Sequence, residues 1–393
     1  MPITSQAARA SLRAPRVERA NTPVRVTMLR ALASLALLAS FAAAANAQDD
    51  TIAGKKVSEW VKILKTHKEV KFRRAAVIAL EVAGPKVKNV LDTLLEGLAK
   101  DSEPELRREI AMCLDRMGLD AKGAVESLGE ALKKDKSEVV REAAARALAR
   151  GLKDLAHTQV FILAGALKDS HQGTRATAAE ALHNLGEKAK PVLDQITAAG
   201  KDVKNDRFTR LYCVQIVAKW GDMLAGPPLL LQVAKESDAP AGLREAALEG
   251  LSLLAPDHME TAELMTAALE DKQIAVRRAA AGALAKMADK ADPVWPAIKK
   301  GLQDSDAQVR YQLYRVAGNL AKSQKEAVGL LLQAAKKDVT VENRLAAILE
   351  LGELGALAMS VLKDLEEFAE NESRPQLREA AQVAVKKIKA ASN

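Results

Sequence analysis

The sequence DKQIAVRRAAAGAL occupies residues 271–284. It places an aspartate before an aliphatic residue, an arginine and a run of small apolar residues. The order of aliphatic residue, arginine, two variable positions and small apolar residues recurs ten times, for example as LRREIAMCL at 106–114 and VREAAARAL at 140–148. One unit copied along a chain is typical of repeat architectures.

One arginine marks each copy of the unit, and we call these ten residues the marker arginines. They are Arg73, Arg107, Arg141, Arg175, Arg210, Arg244, Arg277, Arg310, Arg344 and Arg378. Successive marker arginines are 33 to 35 residues apart. Chance alignment of an alanine-rich chain does not produce such regularity, so the spacing indicates a true structural repeat.

The pattern within each unit predicts two helices. Between residues 121 and 150, apolar residues recur at spacings of three and four, as expected for helices with one buried face. They are Val125, Leu128 and Leu132 in the first helix, and Val140, Ala144 and Leu148 in the second. Glycine, proline and lysine mark the turns between units, as at Gly84-Pro85.

An aspartate ends the first helix of most units, where it is placed to cap the helix that follows. These residues are Asp101, Asp135, Asp169, Asp238, Asp271, Asp304 and Asp338. Ser102 with Glu105, and Ser305 with Gln308, have capping-box spacing, which pairs two backbone N–H groups at a helix start. We therefore predict side-chain caps at these turns.

A helix pair of this size cannot bury its own apolar face, so neighbouring pairs must stack. Composition agrees with an all-helical stack, because 48% of the residues are apolar but only 3% are aromatic, and alanine dominates the apolar set. We predict an all-α solenoid of ten helix pairs over residues 57–390, with Trp60 covering its N-terminal end.

The pattern D-x-x-x-x-V-R-x-x-A-A-x-A-L, seen from Asp271 to Leu284, resembles the HEAT-repeat family. It is most similar to the short-repeat branch typified by phycobilisome (PBS) lyase HEAT-like repeats. The resemblance implies a right-handed α-α superhelix of the HEAT or armadillo kind, with the second helix of each pair on a concave face. It also implies a structural ladder of marker arginines and aspartates, and a scaffold that binds a protein or peptide.

Residues 1–47 are predicted to direct export and to lie outside the fold. Residues 31–47, ALASLALLASFAAAANA, match the apolar run and small-x-small ending of a signal peptide cleaved after Ala47. We therefore expect a periplasmic or secreted monomer without a membrane span after cleavage, and a short linker at 48–56. An uncleaved N-terminal anchor and an organelle transit peptide are the alternatives.

The positive charge is concentrated in the same N-terminal segment. Six arginines against one glutamate give residues 1–47 a net charge of +5, which leaves +3 of the formal +8 for residues 48–393. Nucleic acid or another anionic polymer is therefore a poor candidate partner for the repeats, because binding to a polyanion depends on a concentrated basic surface.

The sequence offers no catalytic motif. It lacks G-x-S-x-G, G-x-x-x-x-G-K-S/T, H-E-x-x-H and C-x-x-C, which are common nucleophile, phosphate and metal signatures. Deoxyhypusine hydroxylase shares the architecture but carries paired His-Glu motifs for two irons, and none of the five histidines here precedes a glutamate. We expect no enzyme, cofactor or metal; a bilin-lyase-like or metal-dependent enzyme is the alternative.

The two cysteines, Cys113 and Cys213, fall in the second and fifth units. In a stack of this kind they are about 25 to 30 Å apart, since helix layers are spaced by about 8 to 10 Å. That separation exceeds the reach of a disulfide. We predict two packed thiols.

Partner-binding residues are expected at positions that vary between units. The position after the marker arginine varies in chemistry, and aromatic residues concentrate between 208 and 314. Aromatic and arginine side chains often anchor protein interfaces. The candidates for partner binding are Tyr212, Glu245, Arg278, Tyr311 and Arg315. Phe208 and Trp295 are predicted instead to fill the core.

Overall fold

The computed structural model describes residues 51–118, 123–150 and 156–392. The predicted signal segment therefore lies outside the described residues. The chain divides into two units, one that ends at Lys56 and one that begins at Val57.

The described part of the first unit is a β-hairpin. Strands β1 (Thr51–Ile52) and β2 (Lys55–Lys56) pair in antiparallel register. Ala53 and Gly54 between them both have positive φ, 51° and 79°, as a tight two-residue hairpin turn requires. The predicted linker at 48–56 thus includes a short element of regular structure.

The described part of the second unit contains ten pairs of α-helices, which confirms the predicted all-α solenoid. The first helices of the pairs are α1 (Val57–Thr66), α3 (Val90–Lys100), α5 (Ala124–Lys134), α7 (Ala156–Ala166), α9 (Leu193–Lys201), α11 (Pro227–Lys235), α13 (Met259–Leu269), α15 (Trp295–Gly301), α17 (Glu326–Lys337) and α19 (Leu362–Asn371). The second helices are α2 (Val70–Ala83), α4 (Pro104–Met117), α6 (Glu138–Arg150), α8 (Gln172–Leu185), α10 (Arg207–Trp220), α12 (Ala241–Leu254), α14 (Ile274–Met287), α16 (Ala307–Leu320), α18 (Val341–Glu353) and α20 (Pro375–Ala390). Single 3-10 helices precede α9, α15 and α19, at Gly186–Val192, Ala288–Val294 and Gly355–Val361.

The pairs stack as two layers. Each second helix packs against the second helices of the neighbouring pairs, and the first helices form a parallel but less closely packed layer. Small side chains allow the close approach: Ala280 and Ala281 of α14 are fully buried beside Leu284. Trp60 is buried in the first helix, at the N-terminal end of the stack.

Gly250 shows how closely the second helices approach. A Cβ atom placed on Gly250 of α12 would lie 2.6 Å from the Cβ and 2.9 Å from the Cα of Ala218 in α10. We expect Gly250→Ala to lower the free energy of unfolding by about 1 to 3 kcal/mol, because an overpacked helix contact forces backbone shifts. Urea unfolding followed by circular dichroism measures this change.

Gly282 provides the matched control. It also lies inside a second helix, α14, but a Cβ there meets nothing within 4 Å. Gly282→Ala is expected to raise stability by up to about 1 kcal/mol, since alanine favours helix over glycine. Equal changes in the free energy of unfolding for Gly250→Ala and Gly282→Ala would show that the close approach of α10 and α12 does not require a glycine at position 250.

A ladder of arginine–aspartate pairs joins successive helix pairs at the turn between the first and second helix. Arg73 donates from Nε and Nη2 to the two carboxylate oxygens of Asp101, at 2.8 and 2.9 Å. Its Nη1 donates to the backbone oxygens of His67 and Lys68 in its own turn. The same two-pronged bond, at 2.7 to 3.1 Å, joins Arg107 to Asp135, Arg141 to Asp169, Arg277 to Asp304 and Arg310 to Asp338.

The ladder aspartates hold the turns in a different way from that predicted. The Oδ1 of Asp101 accepts the N–H of Glu103 at 2.9 Å, and Glu103 is itself the N-cap residue of α4. A helix cap bonds instead to N–H groups two or three residues inside the cap. The predicted caps are therefore wrong, because the aspartate that reaches the preceding arginine lies two residues before the helix boundary.

The predicted capping boxes are also wrong. The N-cap of α4 is Glu103, which makes no side-chain cap, and the N-cap of α16 is Asp306. Asp306 accepts the N–H groups of Gln308 and Val309, both at 3.1 Å. Ser102 and Ser305 each lie one residue too early in the turn to cap the helix.

The acid of the ladder can be a glutamate as well as an aspartate. Arg210 pairs with Glu236 at 2.8 Å and Arg344 with Glu372, and both glutamates are the C-cap residues of their first helices. The prediction of Asp238 is wrong, because Glu236 and not Asp238 bonds to Arg210. Arg244 makes a single bond of 2.7 Å to Asp271.

Predictions for the core are mostly confirmed. Cys113 and Cys213 are free and buried. Trp295 is buried, and its Nε1 donates to Glu326 at 2.8 Å. Phe208 is a correction: it lies in the first turn of α10 with 37% of its surface exposed, and Arg207 covers its ring at 4.5 Å.

Candidate protein-binding face

The exposed positions of the second helices follow a regular pattern. In α2, the residues one, five and nine positions after the marker arginine are Arg74, Ile78 and Val82, and all three are exposed. Residues four apart lie on one face of a helix. We call the surface formed by these positions in the ten second helices the second-helix face.

Four of the five candidate binding residues lie on this face. Glu245, Arg278 and Tyr311 follow their marker arginines directly, and Arg315 lies five residues after Arg310. Tyr212 lies one position further along its helix, at the edge of the face. Arg278, Tyr212 and Arg315 each contact a residue outside the candidate set.

Arg278 joins the seventh pair to the eighth. It donates from Nε and Nη2 to the two carboxylate oxygens of Asp306, at 2.9 and 2.6 Å. Hydrogen bonding from Arg278 is the main reason that the pKa of Asp306 falls to about 2. Half of the Arg278 side chain remains exposed, so it can also face a partner.

Tyr212 belongs to a small cluster between α8 and α10. Its ring lies 5.5 Å from the ring of His183. Burial raises the pKa of Tyr212, and the charge of Glu180 adds to the effect. Burial also lowers the pKa of His183. The cluster therefore presents a neutral aromatic pair beside a carboxylate.

Arg315 and Tyr311 lie one turn apart on α16. Arg315 is exposed and makes a weak bond of 3.4 Å to Gln312. Glu350 of the next second helix packs over Gly318, so that a Cβ there would meet its carboxylate. Burial raises the pKa of Glu350, while the positive charge of Arg315 partly opposes the rise.

Glu245 lies half-buried on α12. Burial raises the pKa of its carboxyl group. A carboxylate with a raised pKa gains from the approach of a cation or a hydrogen-bond donor, because either favours its charged form. Glu245 is therefore suited to receive a polar group from a partner.

Ion pairs cross the second-helix face between neighbouring helices. They join Arg74 to Glu109, Glu81 to Arg116, Glu249 to Lys286 and Glu353 to Lys387. Exposed pairs of this kind contribute only about 0 to 1 kcal/mol each. A partner can therefore exchange its own charges for them at little cost.

Exposed apolar side chains lie between these charges, and sequence reasoning missed them. They are Ile78, Val82, Leu253, Leu349 and Val383, each 46% to 60% exposed. All occupy positions five or nine residues after a marker arginine. The signal in the sequence is an apolar residue five or nine positions after the marker arginine, where most other units carry charged or polar residues.

The described residues give no sign of a metal or a simple membrane span. No group of three or more His, Cys, Asp or Glu side chains there is arranged to hold a metal ion. In the same part of the chain no single helix has the length and hydropathy to cross a membrane. One pair of segments bent by 116°, Val341–Glu353 and Gly355–Asn371, meets that criterion jointly.

Comparison with known families agrees with this geometry. The HEAT-repeats family matches residues 57–149 and 295–386. The chain contains HEAT repeats in both ranges. The two matched ranges contain six of the ten marker arginines, and helix pairs of the same kind continue between them. The sequence matches no curated protein.

Solved structures share the fold of this chain at low sequence identity. The karyopherin Kap121p, bound to the extreme C-terminus of the protein phosphatase Cdc14p, aligns with 94% of this chain and 45% of its own, at 12% identity and a TM-score of 0.53. Kap121p bound to Nup53p aligns with 92% of this chain and 43% of its own, at 12% identity and a TM-score of 0.52. Kap95p, in a structure concerning RanGDP, aligns with 85% of this chain and 52% of its own, at 14% identity and a TM-score of 0.51. The chain spans about half the length of these proteins.

Proposed function

We propose that this HEAT-repeat protein is a non-enzymatic scaffold that binds a protein or peptide along the second-helix face. The observation that carries the proposal is that half-exposed apolar residues occupy regular positions on that face in α2, α12, α18 and α20, interspersed with weak ion pairs. Apolar anchors surrounded by polar groups are the usual composition of a protein interface.

The packing of the two layers supports the choice of face. Second helices pack on one another more closely than first helices do. In a curved stack the closer layer is the inner one, and we therefore propose that the second helices line the concave side. A concave side surrounds an extended segment and buries more of it than a flat surface can.

The neighbouring folds are compatible with this role. The structures of Kap121p were solved with the C-terminus of Cdc14p and with Nup53p as bound proteins. Those partners belong to the karyopherin. They support for the present chain only that a stack of this kind can accommodate a polypeptide.

Export, a monomeric state and membership of the PBS-lyase-like short-repeat branch form part of the proposal. The apolar run at 31–47 and the unit length of 33 to 35 residues are the supporting observations. A mature N-terminus at Gln48, found by mass spectrometry of the protein expressed in its own host, is the expected result for export.

A displayed peptide library tests the face directly. We expect selection against the full chain to enrich peptides that bind it, and Tyr311→Ala with Arg315→Ala to weaken the best peptide about tenfold or more. Loss of central aromatic and arginine anchors has effects of this size. Calorimetric titration measures the change in Kd.

Lys299 and Lys300 supply the control on the opposite layer. Both are exposed on α15, the first helix of the same pair, and form only surface ion pairs. Lys299→Ala with Lys300→Ala is expected to leave Kd unchanged within about twofold. If the α15 substitutions weaken binding and the α16 substitutions leave Kd unchanged, the site lies on the layer of first helices.

A further inference from the structure

The ladder is interrupted at Arg175, between the fourth and fifth pairs. Its Nη1 donates to the backbone oxygens of Asp169 and Ser170, at 2.8 and 3.1 Å, as other marker arginines bond to their own turns. On the opposite edge of the same guanidinium, however, the Nε of Arg175 is buried and has no hydrogen-bond partner. The carboxylate of Asp206 lies 3.9 Å from Nη2, which is too far for a hydrogen bond.

Two carboxylates follow α9 in the sequence, and neither takes the place of the missing ladder acid. The interval from Arg175 to Arg210 is 35 residues, the longest in the chain. Asp202 follows α9 directly, as most ladder acids follow their first helices, but its carboxylate is exposed and bonds only to the N–H of Lys204, at 3.0 Å. Asp206 is used as the N-cap of α10. Neither carboxylate completes the pair with Arg175.

A pocket of about 460 Å³ opens at this point. Arg175, Lys168, Lys204, Asp202 and Asp169 are the charged residues that line it. Asp169 is already neutralised by the two-pronged bond from Arg141. The remaining lining charges are three cations and the carboxylate of Asp202, and Asp206 faces Arg175 from 3.9 Å. One positive charge is left in excess, so the pocket favours an anion.

We propose that this pocket binds a carboxylate group, which pairs with Arg175 as the ladder acids pair with the other marker arginines. A planar carboxylate matches the two-pronged edge of a guanidinium, and five of the marker arginines make that bond to ladder acids. The carboxylate belongs to a small organic acid or to an acidic peptide. The residues lie at the turns and not on the second-helix face, so the inference is independent of the proposed function.

Succinate is the first probe, and neutral succinamide is its control. We expect the full chain to bind succinate and not succinamide in calorimetric titrations. Arg175→Gln is expected to weaken succinate binding about tenfold or more, because a charge-assisted pair is lost. Asp202→Asn is expected to tighten it roughly two- to fivefold, since a nearby like charge is removed.

Asp202→Asn keeps the test decisive whatever the stability of the Arg175 variant. Asp202 is exposed, and asparagine can still accept the N–H of Lys204, so this variant is expected to fold. Succinate binding that is tighter in Asp202→Asn supports the proposal even if Arg175→Gln fails to fold. Equal binding of succinate and succinamide, or succinate binding unchanged by Asp202→Asn, would overturn it.

A second arm identifies the source of the carboxylate. The probes are an acetylated and amidated pentapeptide with one glutamate among alanines, and its glutamine counterpart. Tighter binding of the glutamate peptide than of succinate supports a polypeptide ligand, and the reverse order supports a small acid. If neither succinate nor the glutamate peptide binds in an Arg175-dependent way, the pocket is not a carboxylate site.

Discussion

Replacing Asp338 by alanine is expected to lower the free energy of unfolding by about 3 to 5 kcal/mol, the range seen when one partner of a buried ion pair is removed. The Asp338 side chain is 1% exposed. It accepts two bonds from Arg310, at 2.8 and 3.0 Å, and one from the hydroxyl of Tyr314, at 2.7 Å. Alanine leaves the buried guanidinium of Arg310 without its counter-charge.

The same carboxylate also organises the turn between α17 and α18. It accepts the N–H of Thr340 at 2.9 Å and an amide hydrogen of Asn343 at 3.2 Å. Because neighbouring repeats stabilise one another through their interfaces, the loss is expected to fall on the coupling of the last two pairs to the rest. Urea unfolding of Asp338→Ala should therefore show an early transition that wild type lacks.

Asp364 is the matched control for Asp338. Asp364 likewise forms an ion pair between neighbouring helix pairs, with Lys336 of α17 at 2.9 Å, but its side chain is 56% exposed. Asp364→Ala is expected to change stability by no more than about 1 kcal/mol. Similar losses from the two substitutions would show that the ladder contributes no more than an ordinary surface pair.

Acid is expected to destabilise the whole stack as the pH falls below about 4. The pKa of each of Asp135, Asp169, Asp271, Asp304 and Asp338 is lowered in the folded protein. Burial alone would raise these pKa values, but hydrogen bonds from the arginines and from turn N–H groups together outweigh it. Each aspartate therefore prefers to be ionised in the folded state.

The direction of the pH dependence follows from those lowered pKa values. The stability they contribute is fully present above the unfolded aspartate pKa of about 3.9 and is lost as the pH falls through the folded values. Glu245 and Glu350 act in the opposite sense, since their pKa values are raised. Two such groups offset only part of the loss from the ladder.

Thermal unfolding by circular dichroism between pH 7 and pH 2 measures this effect. Tm is expected to vary little above pH 5 and to fall steeply below pH 4. Asp304→Asn is the matched variant, because it removes one ladder carboxylate; its Tm should start lower and fall less with acid. A Tm that stays constant down to pH 2.5 would contradict the assignment of these pKa shifts.

The repeat architecture could be read from the sequence because its signal is redundant. Ten marker arginines at nearly constant spacing predict the pairs, and each copy repeats the evidence of the others. Single turns lack that redundancy. Both Glu236 and Asp238 follow α11, and only the structure shows that Glu236 meets Arg210. Asp202 has the sequence spacing of a ladder acid, and only the structure shows that it does not meet Arg175. Those outcomes depend on three-dimensional register.

The candidate site was predicted only in part for a related reason. The variable position after the arginine pointed to Arg278 and Tyr311, but it could not show that Asp306 would hold Arg278. The sequence pattern that separates buried from exposed helix positions is also weak where alanine occupies both kinds of position. The exposed Ile78 and Leu349 resemble core residues until the face of the helix is known.

Thiol labelling of single cysteines, with and without a peptide selected from the library, tests the binding face most directly. The native thiols give little background, because burial raises the pKa of Cys113 and raises that of Cys213 to about 12, and only thiolates react rapidly. We predict that the peptide slows labelling at Arg315→Cys on α16 but not at Lys299→Cys on α15. Protection at Lys299→Cys alone would contradict the assignment of binding to the second-helix face.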